Sequence, residues 1–365
     1  MTRFFVNDAV RPERVPPPSS EALAFHRALP FYAPTPLRRL SDSVWLKDES
    51  ARFGLPAFKV LGASWAIERA LRERPDVEVL IAASAGNHGR AVAFEARRRG
   101  LRCRVFLPAR SVAARREAIA GEGAEVVVVD GTYEEAAAAA AEEGARPGAL
   151  EIADVGDSGP ARWVIDGYAT LFAEAAEQLR SAVSGSAPFE ASPEPSARGV
   201  DILLVPVGVG SLAAAAARFG ASAGVKVVGV EPVAAACLTA SLRAGAPAVV
   251  ETPGTTMAGL DCAEVSAGAW PELRDGIHGT VTVSDDEAHA AMRELAATGL
   301  AIGESGAAPL AAWHALRDDP EADPLREAVG LHDGARVLLV ATEGPTDPVA
   351  YERVVGHTMR PAPPR

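Results

Sequence analysis

The sequence predicts an α/β protein built on parallel sheets that helices cover on both faces. Two observations predict it. Short apolar runs alternate with amphipathic stretches from Val44 to the run ARVLLVATEG at 335–344, the pattern of repeated strand–helix–strand units. Three of the turns that follow apolar runs, SAGNHG (84–89), VGVGS (207–211) and ATEGPTD (341–347), concentrate Gly, Ser, Thr and Asn. In such folds ligands bind at the carboxyl ends of strands, beside helix N-termini.

Taken in order, the first forty residues are proline-rich and read as irregular, ending at FYAPTPLRRL. VWLKDES is a short strand entering a turn, and SWAIERALRER has apolar positions three and four apart, as a helix requires. VEVLIAA then runs through SAGNHG into the helix RAVAFEARRRG. RCRVFLP is a strand closed by proline and followed by the helix SVAARREAIAGEG. AEVVVVD leads into TYEEAAAAAAEEG, whose alanine run is strongly helix-forming. ALEIAD is a further strand and ARWVIDGYATLFAEAAEQL a long helix. Ser, Pro and Gly mark 181–199 as a surface loop. The alternation resumes with DILLVPVGVGS, KVVGVEP and TVTV, each followed by a helix, and closes with ARVLLVATEG.

Length and composition bound the function. A chain of 365 residues, 48% hydrophobic and 23% charged, is that of a soluble globular protein of about two domains. No apolar stretch is long enough to span a bilayer, and the N-terminus lacks the apolar core of a signal peptide, so a cytoplasmic protein is expected. A formal net charge of −12 disfavours nucleic acid and anionic membrane as partners. Cys103, Cys237 and Cys262 have neither the even count of a disulfide framework nor metal-like spacing, and the seven histidines form no ligand pair, so no metal site is expected.

Lys59 stands between Phe58 and Val60 where a helix is about to begin. Most lysines in such places lay their methylenes on apolar surface and keep the ammonium in water. A lysine held instead in a partly dry pocket has a lowered pKa and forms a Schiff base. The loops supply the pocket. In VPVGVGS a strand ends, Gly208 and Gly210 bracket Val209, Ser211 offers a hydroxyl, and Leu212 opens an alanine-rich helix. Glycines admit a close anion and the helix start presents free amides to it, a phosphate cradle, although a plain strand-to-helix turn uses the same residues. In SAGNHG, Asn87 is suited to donate to a ring oxygen, and the amides of Ser84, Ala85, Gly86, Asn87 and His88 to hold a substrate carboxylate. Turn chemistry alone also accounts for that asparagine. The His88 ring, with no evident nucleophile or carboxylate partner, reads as structural. An amine, a phosphate site, a ring-oxygen donor and a carboxylate clamp together match the functional groups of pyridoxal phosphate.

At these residues the sequence resembles the fold-type II pyridoxal phosphate enzymes. KDESARFGLPAFKVLGAS, SAGNHGRAVAFEA, VPVGVGSLAAA, TTMAGLDCAE, IGESGAAPLAA and VATEGPTD occur in that group's order, over roughly residues 34 to 355. Within the group the likeness is to the diaminopropionate ammonia-lyase family, on RFGLPAFK, TTMAGL and GESGA; the asparagine loop is shared with serine and threonine deaminases. The resemblance implies two α/β domains, each a mostly parallel twisted sheet flanked by helices, with the cofactor in the cleft, and a homodimer. Residues 1–70 and 160–365 would form the larger domain and 71–159 the smaller. It further implies that Lys59 is the Schiff-base lysine, that Asn87 contacts the cofactor's ring hydroxyl, and that Gly208 to Leu212 hold its phosphate. Thr342 would contact the pyridine nitrogen, and Asp154 would be an active-site carboxylate. One departure stands out: the family's aspartate before Gly-Asn-His, a base for the D-isomer, is Ala85 here.

The expected activity is α,β-elimination of L-2,3-diaminopropionate to pyruvate and ammonia, with a neutral, near-physiological Lys59 as base. The alternatives are a serine or threonine deaminase, a β-replacement enzyme of the same fold, or a protein that binds the cofactor or a metabolite without turnover. A nicotinamide-dependent dehydrogenase fits the alternation but not the loops.

Overall fold

The computed structural model describes residues 3–157, 159–184 and 199–356. Its strands are β1 (Phe4–Val6), β2 (Leu37–Arg39), β3 (Val44–Asp48), β4 (Val79–Ala82), β5 (Arg102–Pro108), β6 (Glu125–Val129), β7 (Ala149–Glu151), β8 (Ile202–Pro206), β9 (Lys226–Pro232), β10 (Gly279–Val283) and β11 (Val337–Ala341). They form a seven-stranded sheet in the order β1-β10-β9-β8-β11-β3-β2 and a four-stranded sheet in the order β6-β5-β4-β7. The smaller sheet is parallel throughout. In the larger one only the edge strands β1 and β2 are antiparallel, to β10 and β3.

Helices cover both sheets. The N-terminal half carries α1 (Ser20–Arg27), α2 (Val60–Glu73), α3 (Asn87–Arg99), α4 (Ala113–Gly121), α5 (Tyr133–Gly144) and the 26-residue α6 (Gly159–Ser184). The rest are α7 (Ser211–Ala223), α8 (Cys237–Ala244), α9 (Trp270–Gly276), α10 (Asp285–Ala297), α11 (Glu304–Asp318), α12 (Asp323–Val329) and α13 (Pro348–Val355). The N-terminal forty residues are thus more ordered than their prolines suggest. Two three-residue strands and α1 lie among them, and the strands close the two edges of the larger sheet. The surface loop expected at 181–199 begins later, since 181–184 continue α6; 185–198 lie outside the described residues.

Alternation along the strands sends successive side chains into different cores. Trp45, Leu203, Val205, Leu338 and Val340 join one apolar cluster with α2, α6 and α7, while Val44, Leu46, Ile202, Leu204, Val337 and Leu339 join another with α10 and α11. In the smaller sheet Leu80, Ala82, Val105 and Leu107 belong to the first cluster and Val79, Ile81 and Phe106 to a third. Helices α2 and α6 cross where Gly62 and Gly167 allow backbone contact: a Cβ on Gly167 would lie 2.5 Å from the Leu61 carbonyl oxygen.

A buried ionic network ties the larger sheet to α6. Lys47 Nζ reaches Glu174 Oε2 at 2.8 Å, and Arg52 makes paired hydrogen bonds to both Glu49 and Glu174. Lys47, Glu49 and Arg52 are fully buried, and Tyr32, Thr35 and Gln178 complete the set with neutral partners. Two cations against two anions, all hydrogen-bonded, tolerate burial; one removed leaves a charge uncompensated. The network also fixes the tight turn at Arg52–Leu55, where Phe53 (φ 53°) and Gly54 (φ 82°) are both left-handed and turn the chain toward Lys59. Replacing Glu174 by Ala is expected to lower the unfolding free energy by about 3–5 kcal/mol, read by urea denaturation.

Candidate active site

The loops at the carboxyl ends of β4, β7, β8 and β11 converge on one place, and backbone pairing brings Lys59 to it. Ala57 bridges to Glu343 in antiparallel fashion, Phe58 N–H donates to the Thr342 carbonyl at 3.2 Å, and Gly344 N–H donates to that of Pro56 at 3.0 Å. Lys59 is therefore held as the N-cap of α2, with its backbone fixed by the central strand β11.

The Lys59 ammonium meets the Asp154 carboxylate at 2.8 Å, with side-chain exposures of 22% and 14%. Asp154 follows β7, and its segment is tied down by Gly156 N–H donating to Ser266 Oγ at 3.0 Å and by Ser211 Oγ donating to the Asp154 carbonyl at 3.0 Å. His88, at the start of α3, shares Nε2 with the Ile152 carbonyl at 2.7 Å and turns Nδ1 toward Asp154 Oδ2 at 3.7 Å. The lysine, the aspartate and the histidine thus form one cluster, contrary to the reading of His88 as a ring without a carboxylate neighbour.

Charge states follow from this packing. Burial pulls the Lys59 pKa down, but the Asp154 carboxylate more than reverses it, so the amine sits above the ordinary lysine range. The expectation of a near-neutral Lys59 is corrected here: a dry pocket lowers a lysine only where no counter-charge enters with it. Asp154 is opposed by its own burial, yet the Lys59 ammonium hydrogen-bonded to it holds it well below the usual carboxylate range. Burial pushes the His88 imidazole down, leaving it neutral.

The glycine loop runs from β8 into α7. Gly210 adopts φ 95°, open to glycine and strained for other residues, and no side chain caps the helix. A Cβ on Gly208 would lie 2.7 Å from the Gly259 carbonyl oxygen, so the loop lies close against the segment holding Cys262. Ser211 directs its hydroxyl to Asp154, and the Leu212 side chain enters the core. What these two residues, with Gly208, Val209 and Gly210, can offer an anion is backbone amide. At the opposite loop Gly86 N–H donates to Ser84 Oγ at 3.3 Å, Ala85 is half-buried, and Asn87 Nδ2 donates to Glu343 Oε2 at 2.6 Å. Thr342 is buried, and its carbonyl is engaged by Phe58.

Sequence reasoning missed several members of this cluster. Tyr168 of α6 is fully buried, packs against Phe58 with ring centroids 4.7 Å apart and the ring planes tilted by 56°, and is pushed above the ordinary phenol range by burial. Its hydroxyl and His88 Nδ1 are both buried without a hydrogen-bond partner among the described residues. Glu343, 7% exposed, is raised by burial against the opposing hydrogen bonds of Ser305 and Asn87. Burial pushes the Cys262 thiol up to about 11. A buried phenol reads from sequence as a helix apolar position, and a glutamate in a turn as solvated; only their placement sets them apart.

Comparison with known proteins gives a consistent picture. Residues 28–342 match the family model described as pyridoxal-phosphate dependent enzyme. The diaminopropionate ammonia-lyase of Salmonella typhimurium is 33% identical over 92% of this chain and 91% of its own length. A crystal structure of the Escherichia coli diaminopropionate ammonia-lyase, in complex with an aminoacrylate-PLP azomethine reaction intermediate, superposes with a TM-score of 0.82 at 30% identity, covering 96% of each chain. A biosynthetic L-threonine dehydratase of Corynebacterium glutamicum is 32% identical over 60% of this chain and 49% of its own.

The Lys59–Asp154 pair predicts a pH signature in protein free of cofactor. With Asp154→Asn, Lys59 loses the charge that raises it, so acylation of its amine begins at lower pH than in the wild type; peptide mapping across a pH series reads the midpoint. The sign for stability follows. The contribution of Asp154, depressed in the folded chain, is present above the ordinary aspartate value of 3.8 and lost as pH falls below it. That of Lys59, raised in the folded chain, is present below 10.5 and lost as pH rises beyond it.

Proposed function

From the premise that this chain belongs to the pyridoxal-phosphate dependent enzymes, in the diaminopropionate ammonia-lyase family, we propose that it eliminates ammonia from L-2,3-diaminopropionate to give pyruvate. It is a lyase whose cofactor is pyridoxal phosphate. The single observation that carries the substrate is the Asp154 carboxylate held 2.8 Å from Lys59.

The residues present fit the cofactor. A glycine turn enters an uncapped helix start, where a Cβ at Gly208 or Gly210 would collide with neighbouring atoms. A lysine, an asparagine amide and two buried polar atoms with no hydrogen-bond partner among the described residues face the same region. Lys59 would anchor the cofactor, Gly208 to Leu212 would hold its phosphate with their amides, and Asn87 would face its ring oxygen. Thr342 is our assignment for the ring nitrogen; a neutral hydroxyl there favours elimination over transamination. Pyridoxal phosphate supplies an aldehyde that condenses with amines and a ring that stores the negative charge left at a substrate's α-carbon.

The chain's own residues supply binding and proton transfer. The amides from Ser84 to His88 hold the substrate carboxylate at the start of α3. Lys59 Nζ, in its neutral form once Asp154 has turned to the substrate, takes the α-proton. Asp154 serves two cations in turn: the Lys59 ammonium in the structure described here, and the substrate's β-ammonium while Lys59 is uncharged. That carboxylate thus orients the leaving group. Four-fifths of the lysine side chain is shielded, which keeps water from competing for the proton.

The threonine dehydratase relatives support a second reading, deamination of serine or threonine, since Ala85 stands where the lyases carry an aspartate. We further infer a homodimer and a cytoplasmic location, the latter supported by three free cysteines and by the lack of any described helix long and apolar enough to cross a membrane. Purified holoenzyme is expected to release pyruvate and ammonia from L-2,3-diaminopropionate faster than from serine, threonine or D-2,3-diaminopropionate. Equal rates on the two isomers refute the part given to Ala85. Asp154→Ala should reduce kcat/KM for diaminopropionate by roughly 100-fold or more and that for serine far less.

A further inference from the structure

Asn87 offers the only side-chain amide at the cofactor site among the described residues, and what holds that amide is a carboxylate on the other sheet. We propose that Glu343 is a positioning residue: by accepting one of the two amide hydrogens of Asn87 it fixes the other toward the cofactor's ring oxygen. This rests on the cofactor assignment above and extends it to a residue outside the glycine and asparagine loops.

The geometry is specific. Asn87 Nδ2 lies 2.6 Å from Glu343 Oε2, with α3 following strand β4 of the smaller sheet and Glu343 following β11 of the larger. The glutamate is itself immobilised. Its carbonyl accepts from Gly303 N–H at 3.0 Å, its backbone bridges to Ala57, and its carboxylate is partnered by Ser305. Ser305 Oγ in turn accepts from Gly259 N–H at 3.2 Å.

Chemistry then decides the orientation. The two ends of an asparagine amide are nearly isosteric, so backbone placement alone leaves Oδ1 and Nδ2 free to exchange. The 2.6 Å contact comes from Nδ2, and the hydrogen bonds that Glu343 accepts from Asn87 and Ser305 favour its ionised, accept-only form. That leaves one N–H for a second acceptor. The exchanged orientation would set Oδ1 against Glu343 and against an electron-rich ring oxygen alike. Without Glu343 the amide rotates, and half of its orientations repel the group it should bind. The buried glutamate is the partner that makes Asn87 selective.

The test is a spectrophotometric titration of apoprotein with pyridoxal phosphate. Glu343→Gln, whose amide also presents a donor, is expected to weaken cofactor binding by about tenfold, the size of other losses of a supporting partner. Asn87→Ala should weaken it at least as much, and the double variant should match Asn87→Ala alone, because the glutamate acts through the asparagine. With 3-deoxypyridoxal phosphate, which lacks the ring oxygen, Glu343→Gln and wild type should bind alike. Multiplying losses in the double variant, or the same loss with the deoxy analogue, makes Glu343 merely structural and overturns the proposal. A crystal structure of wild-type holoenzyme needs no variant: Nδ2 bonded to both Glu343 and the ring oxygen is expected, and Glu343 turned to any other group overturns it. If the wild-type chain takes up no pyridoxal phosphate at all, the cofactor assignment fails first.

Discussion

The site depends on a short backbone pairing, residues 56–58 against 342–344. Strand β11 lies between β8 and β3, buried on both faces, and its end is among the least mobile points that an α/β fold offers. Pairing the approach to Lys59 with that end transfers the rigidity to a residue whose side chain has four rotatable bonds. The constraint is made by peptide groups, so it does not depend on the side chains that later do chemistry. It also explains why the turn at Arg52–Leu55 accepts a left-handed phenylalanine: the buried ion network and the pairing beyond it over-determine the turn.

From that anchor the site is assembled across two sheets. Asp154 and His88 come from the smaller sheet, Lys59 and the glycine loop from the larger, and the links between them are polar. Ser211 holds the Asp154 backbone and Asn87 reaches Glu343. Each link joins a helix start on one sheet to a strand end associated with the other. Burial of these groups is tolerable because each charge has a partner nearby; the same contacts bind the two halves of the cleft together.

The sequence showed strand and helix order well because alternation of apolar runs is a strong local signal. It showed Lys59 and the loops because glycine, asparagine and lysine were out of place there. Other features have no local signature. The edge strands β1 and β2 are three residues long and set by pairing partners far along the chain, so they were read as coil. The Lys59 pKa direction was misjudged because the resemblance placed Asp154 in the site, while only the fold sets its carboxylate, 95 residues away in the chain, 2.8 Å from the amine. Glu343 and Tyr168 were invisible for the same reason: a glutamate beside a glycine resembles a solvated turn, and a tyrosine within YATLF resembles core. Composition describes what a segment tolerates alone, whereas a site consists of what distant segments impose on each other.

In the reaction we propose, a preference for an ammonium leaving group over a hydroxyl follows from that electrostatics. While Lys59 pairs with Asp154 the buried charges balance; once the lysine is engaged elsewhere the carboxylate is left uncompensated, a state that buried sites disfavour by several kcal/mol. A substrate carrying a β-ammonium restores the balance. Serine offers only a hydroxyl, which hydrogen-bonds the carboxylate without neutralising it. The His88 imidazole, neutral and with Nδ1 lacking a hydrogen-bond partner, adds no cation to make up the difference. In that proposed reaction the carboxylate beside Lys59 discriminates between leaving groups by the charge that the substrate brings rather than by the shape of the pocket.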